Sequence, residues 1–171
     1  MKNFIISFFI IFSLFLFSNY SLADQNLKFA NIDLIIKNTT IGKKVLSKIN
    51  KIDQDNLEKL SSFEKELKSN EGEIKLKKNL LSDDELKKEI NKLNLKLANY
   101  KKQKKAMVKN LSDTKNKELQ KLFKIINPII QNYMNENSIE ILFNSKNIFI
   151  GNKNSDLTNI LIDEINNKVS D

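Results

Sequence analysis

Apolar residues recur at alternating spacings of three and four through the middle of the chain: Val45, Ile49, Ile52, then Leu60, Phe63, Leu67 and Ile74. The pattern resumes with Leu86, Ile90, Leu93, Leu97, Tyr100, Met107 and Leu111 in a more regular heptad register. A stripe this narrow predicts the seam of a coiled coil between two long helices. Lys104 and Thr114 occupy core-type positions of the second stripe, and Asn56 and Asn70 lie near such positions in the first. Polar residues there are either a tolerance of register or a local loosening that lets the pair splay. The break falls at residues 75–81, followed by Ser82-Asp83-Asp84-Glu85, which has the form of a capping box with its carboxylates at the favourable end of a helix. A second helix therefore starts near Asp83. Two helices of roughly 38 to 45 residues fold back as an antiparallel hairpin about 55 to 65 Å long at 1.5 Å per residue.

The flanks read differently. Residues 27–36, LKFANIDLII, carry the β-branched and aromatic content of a strand, and residues 37–40 form a polar turn. Pro128 lacks an amide donor and disfavours helical geometry at Asn127, so the second helix is expected to stop there and a short one to follow over 128–135. Residues 139–143 and 148–150 are short apolar runs around Asn144-Ser145-Lys146-Asn147, which predicts a β-hairpin. A last helix over 156–168 presents Leu157, Ile160, Leu161 and Ile165 on one face, with Asp156 or Thr158 as its cap. The expectation is an α+β chain: a helical arm on a small body of three strands from opposite ends of the sequence. The inward residues Phe29, Ile32, Ile141, Phe143, Ile148 and Ile150 are more apolar than so little structure can bury, which implies self-association that joins sheets.

The N-terminus has a single charge, Lys2, then an apolar run from Phe4 to Phe17 broken only by Ser7 and Ser13. Ser21-Leu22-Ala23 supplies the small residues of a signal-peptidase site, so residues 1–23 read as a signal peptide cleaved after Ala23. The run is shorter than the roughly 18 to 20 residues needed to span a bilayer. Removing it takes out one lysine and no carboxylate, moving the formal net charge from +8 to +7.

Chemistry is bounded by what is missing. The chain has no His, no Cys and only three scattered glycines, Gly42, Gly72 and Gly151. It therefore lacks the commonest general base, the thiolate nucleophile, the commonest transition-metal ligands and a glycine-rich phosphate loop. The composition speaks against an enzyme and implies no cofactor or metal. All 29 basic residues are lysine. Lysine does not make the bidentate fork that reads guanine, which weighs against specific nucleic-acid recognition.

The order of strand, long helical pair, two short apolar runs and terminal helix behind a signal peptide resembles the Skp/OmpH family. Phe29-Ala30-Asn31-Ile32-Asp33-Leu34, followed by Ile35-Ile36 and Gly42-Lys43, is similar to that family's opening strand and entry into its arm. Pro128-Ile129-Ile130 matches the start of its post-arm segment. Ile141-Leu142-Phe143-Asn144, Ile148-Phe149-Ile150-Gly151 and Asp156-Leu157-Thr158 follow its two C-terminal strands and helix start. The chain departs from the pattern at Asn31, where an apolar residue is usual, and at Ile150, where a tyrosine is common. The resemblance covers residues 24–171 and implies a trimer. Residues 24–40 and 128–171 would form a trimerisation body closed into a joined β-barrel, and residues 41–127 an arm. Three arms would enclose an unfolded outer-membrane β-barrel protein in the periplasm and keep it from aggregating, without nucleotide.

Two surfaces stand out for such a task. Lys75, Lys77, Lys78, Lys87 and Lys88 cluster with Leu80 and Leu81 at the predicted arm tip. Between Glu89 and Asp113 there are seven lysines, Lys101 and Lys105 among them, and no carboxylate. The tip is explained as the soluble end of a bare hairpin or as a mobile amphipathic contact for apolar client segments, and the lysine stretch as a solvated helix face or as a basic wall for acidic clients and for peripheral contact with anionic lipid. Phe63, Tyr100, Phe123 and Tyr133 fit packing along the apolar stripe better than a stacking platform. A structural coiled-coil adaptor with one folded partner is the competing function, and nonspecific DNA binding through the lysines is a third.

Overall fold

A computed structural model describes residues 26–169. The expected signal peptide and its cleavage after Ala23 lie outside the described residues.

Strand β1, Leu27–Ala30, runs beside β2, Ile141–Asn144, in a two-stranded parallel sheet that pairs Leu27 with Ile141 and Phe29 with Phe143. Residues 148–150, expected as the second strand of a hairpin, are not a strand. Ser145–Asn147 is a 3-10 turn started by the Asn144 side chain, which accepts from the Lys146 amide at 3.1 Å, and the chain leaves the sheet there. Among the described residues the sheet therefore has two strands where three were expected.

The predicted strand over 27–36 is also shorter than expected. After Ala30 the chain turns into helix α1, Ile32–Asn38. Asn31 caps it, its Oδ1 accepting from the Leu34 amide at 3.0 Å, with Asp33 in the first turn and Lys37 in the last, as the helix dipole favours. What reads as a continuous apolar run places Ile32, Ile35 and Ile36 at i, i+3 and i+4, and all three meet the core. Thr39, buried, ends α1 and caps helix α2, Thr40–Lys77, accepting from the Gly42 amide at 3.2 Å. The two helices meet so closely that a β-carbon on Gly42 would stand 1.9 Å from the Ile36 carbonyl oxygen.

Helix α3, Asp83–Glu136, is the longest element at 54 residues. Its start follows the expected box in part: the Glu85 carboxylate accepts from the Ser82 amide at 3.0 Å and from the Ser82 hydroxyl at 2.7 Å. These bonds hold the Glu85 carboxyl below its ordinary range. The expected break at Pro128 does not occur, and no separate helix begins there. Proline inside a helix costs about 3 kcal/mol. Leu122, Ile126 and Ile130 straddle it as one buried stripe, each worth about 1.5 to 3 kcal/mol, so burial outweighs the lost hydrogen bond.

Helix α4, Thr158–Val169, closes the core with Leu161 and Ile165, both fully buried. Asp156 Oδ1 accepts from the Thr158 amide at 2.9 Å and from its hydroxyl at 2.5 Å. The same hydroxyl oxygen accepts from the Asn31 amide at 2.8 Å, while the Leu157 amide donates to the Phe29 carbonyl at 2.9 Å. The N-terminal strand and the C-terminal helix are thus stitched together through Asp156-Leu157-Thr158. The resulting core comprises Ala30, Ile35, Leu122, Ile126, Ile130, Ile139, Leu157, Leu161 and Ile165.

Away from this core α2 and α3 run side by side in opposite directions. Lys48 meets Glu118 at 3.1 Å, Tyr100 donates to the Glu64 carboxylate, and Lys96 meets Glu66 at 2.7 Å, the partners on α3 moving back toward its start as those on α2 advance. With 38 residues, α2 is about 57 Å long.

Candidate functional site

Two surfaces lie at opposite ends of the molecule. On the sheet, side chains alternate between faces. Ala30 and Leu142 point to the core, which leaves Leu27, Phe29, Ile141 and Phe143 together on the other face, where Ile141 and Phe143 are exposed. Ile148 packs near Phe29, because a β-carbon on Gly151 would lie 2.6 Å from the Phe29 ring and 3.4 Å from Ile148 Cγ2. Ile32 turns inward instead and packs against the core. Ile150 and its neighbour Phe149 are in solvent, at 85% and 104% of full exposure. Of the six residues expected at a self-association surface, the fold brings Phe29, Ile141, Phe143 and Ile148 together, assigns Ile32 to the core, and leaves Ile150 in a bend beyond them.

At the other end, α2 and α3 are joined by the turn 78–82. Lys75, Lys77, Lys78, Lys87 and Lys88 are all exposed around it. Lys75 reaches Glu71 at 2.7 Å and Lys77 reaches Glu73 only at 3.9 Å, surface pairs that contribute little to stability. Leu80 is 83% exposed and Leu76 82%, whereas Leu81 folds back between the helices. Lys101 and Lys105 do not belong to this cluster, since Lys101 is about 20 Å along α3 from Lys88. Among the described residues neither has a carboxylate partner, nor do Lys102 and Lys109. Lys104, also without a carboxylate partner among the described residues, stands 5.7 Å from the centre of the Tyr100 ring. Tyr100, by donating to Glu64, has its phenol pushed above its ordinary range.

Sequence reasoning missed a cleft of about 230 Å³ between the helices just behind this turn. Asn70, Ile74 and Lys77 on α2 face Glu89, Leu93 and Lys96 on α3, with Leu81 at its end. The signal was present in Asn70, a polar side chain at a seam position; its Nδ2 is buried without a hydrogen-bond partner. Glu89 is held by Lys92 at 2.7 Å, and that bond, with the charges of Lys77 and Lys96 behind it, lowers its pKa. The other unanticipated feature is Glu118, near the body, bridging Lys48 at 3.1 Å and Lys121 at 3.0 Å. The Lys121 and Lys48 bonds keep its carboxyl below the ordinary range.

Comparison with known proteins places this arrangement. No curated protein matches the sequence. Six solved chains match, among them the crystal structure of a candidate outer membrane chaperone (OmpH-like) from Caulobacter crescentus CB15. That structure aligns with a TM-score of 0.73 at 16% identity, over 88% of this chain and 89% of the other, a likeness of fold. The family model described as outer membrane protein (OmpH-like) matches residues 27–165, from the first strand through the last buried turn of α4. The chain is a member of the OmpH-like family.

Proposed function

We propose that the protein is a periplasmic, ATP-independent holdase chaperone that binds unfolded outer-membrane β-barrel proteins in transit and keeps them from aggregating. The observation that carries this reading is the far end of the helical pair of an OmpH-like chain, where Leu76, Leu80 and Leu95 stand in solvent among lysines. Such a surface offers mobile cations and apolar side chains without a rigid pocket, and suits many weak partners rather than one folded one. The family chaperones are periplasmic, which agrees with cleavage after Ala23. The protein acts by binding alone, with no catalytic step.

In this reading residues 41–127 are a coiled-coil arm, and residues 24–40 with 128–171 form the body. Three copies join through the sheet face of Phe29, Ile141 and Phe143 into a β-barrel. An open two-stranded sheet with an apolar face needs such a cover. Lys101, Lys102, Lys105 and Lys109 line the arm as a basic wall that also allows peripheral contact with anionic lipid.

The test is the native mass of purified chain from Asp24 to Asp171, alone and after dilution into it of a urea-unfolded outer-membrane β-barrel protein. Three chains, then three chains with one soluble client, are expected. A trimer that lets the client aggregate defeats the chaperone reading. A Phe143→Asp variant that keeps the trimer's mass and stability removes that strand from the interface.

A further inference from the structure

Behind the turn, α2 and α3 do not fill the space between them. Seam positions of a paired helix are normally closed by interlocking apolar side chains at crystal-like density. Here Asn70 stands where such a side chain belongs, and Leu76 and Leu80 point to solvent instead of inward. What remains is the cleft of about 230 Å³ with Ile74, Leu81 and Leu93 as its apolar walls. An apolar cavity of roughly 150 Å³ holds one benzene ring, so the cleft has room for a single aromatic or branched side chain. The unpaired Asn70 amide that lines it loosens the seam here, since a buried donor without an acceptor works against the packing around it.

The rim selects what accompanies that side chain. Three lysines and two glutamates line it. Lys92 is engaged by Glu89 at 2.7 Å and Lys96 by Glu66 at 2.7 Å. Lys77 approaches Glu73 only to 3.9 Å, so it is the cation left to accept a closer anion. A carboxylate offered by a ligand replaces this long, exposed contact with a short one, and with three lysines against two glutamates on the rim a ligand cation is the less favoured partner.

We propose that this cleft takes one aromatic or branched apolar residue of an extended polypeptide, with a neighbouring carboxylate received by Lys77. Leu80, consecutive with Leu81 and exposed, continues the apolar contact outside the cleft. The assignment rests on the reading of the protein as a binder of unfolded chains and names the local chemistry it prefers.

The chain contains no tryptophan, so the emission of a tryptophan peptide reports the cleft directly. Two acetylated, amidated peptides of glycine and serine are titrated into the processed full-length chain, one with a central Trp-Asp pair and one with Trp-Lys. A saturable blue shift is expected for Trp-Asp, about tenfold weaker for Trp-Lys, corresponding to about 1.4 kcal/mol. Lys77→Glu, a change on an exposed side chain, is expected to reverse the order, and Leu93→Asn to abolish the shift for both peptides. Equal affinity for the two peptides, an unchanged order in Lys77→Glu, or a shift that survives Leu93→Asn each overturns the assignment. The same preparation is assayed for suppressing aggregation of a urea-unfolded outer-membrane β-barrel protein. Protection without Trp-Asp binding removes the cleft and leaves the chaperone; Trp-Asp binding without protection removes the chaperone and leaves the cleft as a peptide site.

Discussion

Gly42, at the body end of α2, has the Ile36 carbonyl oxygen 1.9 Å from where a β-carbon would stand, while Gly72, at the far end of the same helix, has nothing within 4 Å of that point. The same residue type is a close-packing device at one end and an unfilled position at the other. The leucines tell the same story. Leu122 and Leu161 are sealed in the core, whereas Leu76 and Leu80 are more than four-fifths exposed. None of the residues between Ile49 and Glu118 is buried. One end is held by volume, the other by a narrow seam and side-chain ion pairs. Burial is concentrated at the body end, and the far end is the less tightly packed of the two.

The strongest way to break this comparison is to hollow out the body. Leu161→Ala is expected to cost about 3 to 4 kcal/mol, read from the urea midpoint, because the site is fully buried and cannot collapse. Gly42→Ala comes next, at about 2 to 3 kcal/mol, since backbone must move to admit the methyl group. Gly72→Ala has the opposite sign, a gain of about 0.5 to 1 kcal/mol in local helix stability. It is expected to slow amide exchange around residue 72 while leaving the global midpoint almost unchanged. If Gly42→Ala and Gly72→Ala shift the midpoint alike, the two ends are one cooperative unit and the contrast fails.

The smallest effect is pH-dependent and sits at the boundary. Glu118 has a folded pKa below its ordinary value of 4.5 because Lys121 and Lys48 hold its ionised form. Its contribution is therefore present in full above 4.5 and lost as the pH falls through the lowered folded value. Melting curves of the native chain and of Glu118→Gln should differ at neutral pH and converge as the pH falls below 4.5. A difference that persists in acid would mean that the side chain acts by packing and not by charge.

Local chemistry was legible in the sequence where it acts within one element. Ser82 and Glu85 announce the start of α3, the spacing of Leu157, Ile160, Leu161 and Ile165 announces the apolar face of α4, of which Ile160 alone stays exposed, and the absence of proline before Pro128 announces long helices. Three readings failed where tertiary packing decides. Ile32, Ile35 and Ile36 suit a strand by composition, and only the Asn31 cap and the core they meet make them a helix. Pro128 looks like a stop until the buried stripe on either side of it is known. Ile148-Phe149-Ile150 has strand composition, yet a strand needs a partner, and among the described residues none pairs with it. Self-association through the sheet was read from excess apolar content; Ile32, one of the residues named for it, starts α1 and packs against the core. The cleft was hidden for a similar reason: Asn70 marks a weak seam position, but only the facing helix shows that nothing fills it.

The Asn31 amide bonded to Thr158 Oγ1 at 2.8 Å joins residues 127 positions apart. This makes the body a late event in the life of the chain. A chain that emerges from its N-terminus first cannot close its core until α4 has followed, and contacts so distant in sequence are slow to form unaided. The helical pair shortens that search. A turn formed behind Ser82 would let α2 and α3 pair by local steps and bring Leu122, Ile126 and Ile130 back to Ile35. The region with the fewest buried side chains would then be the guide rail along which the core assembles.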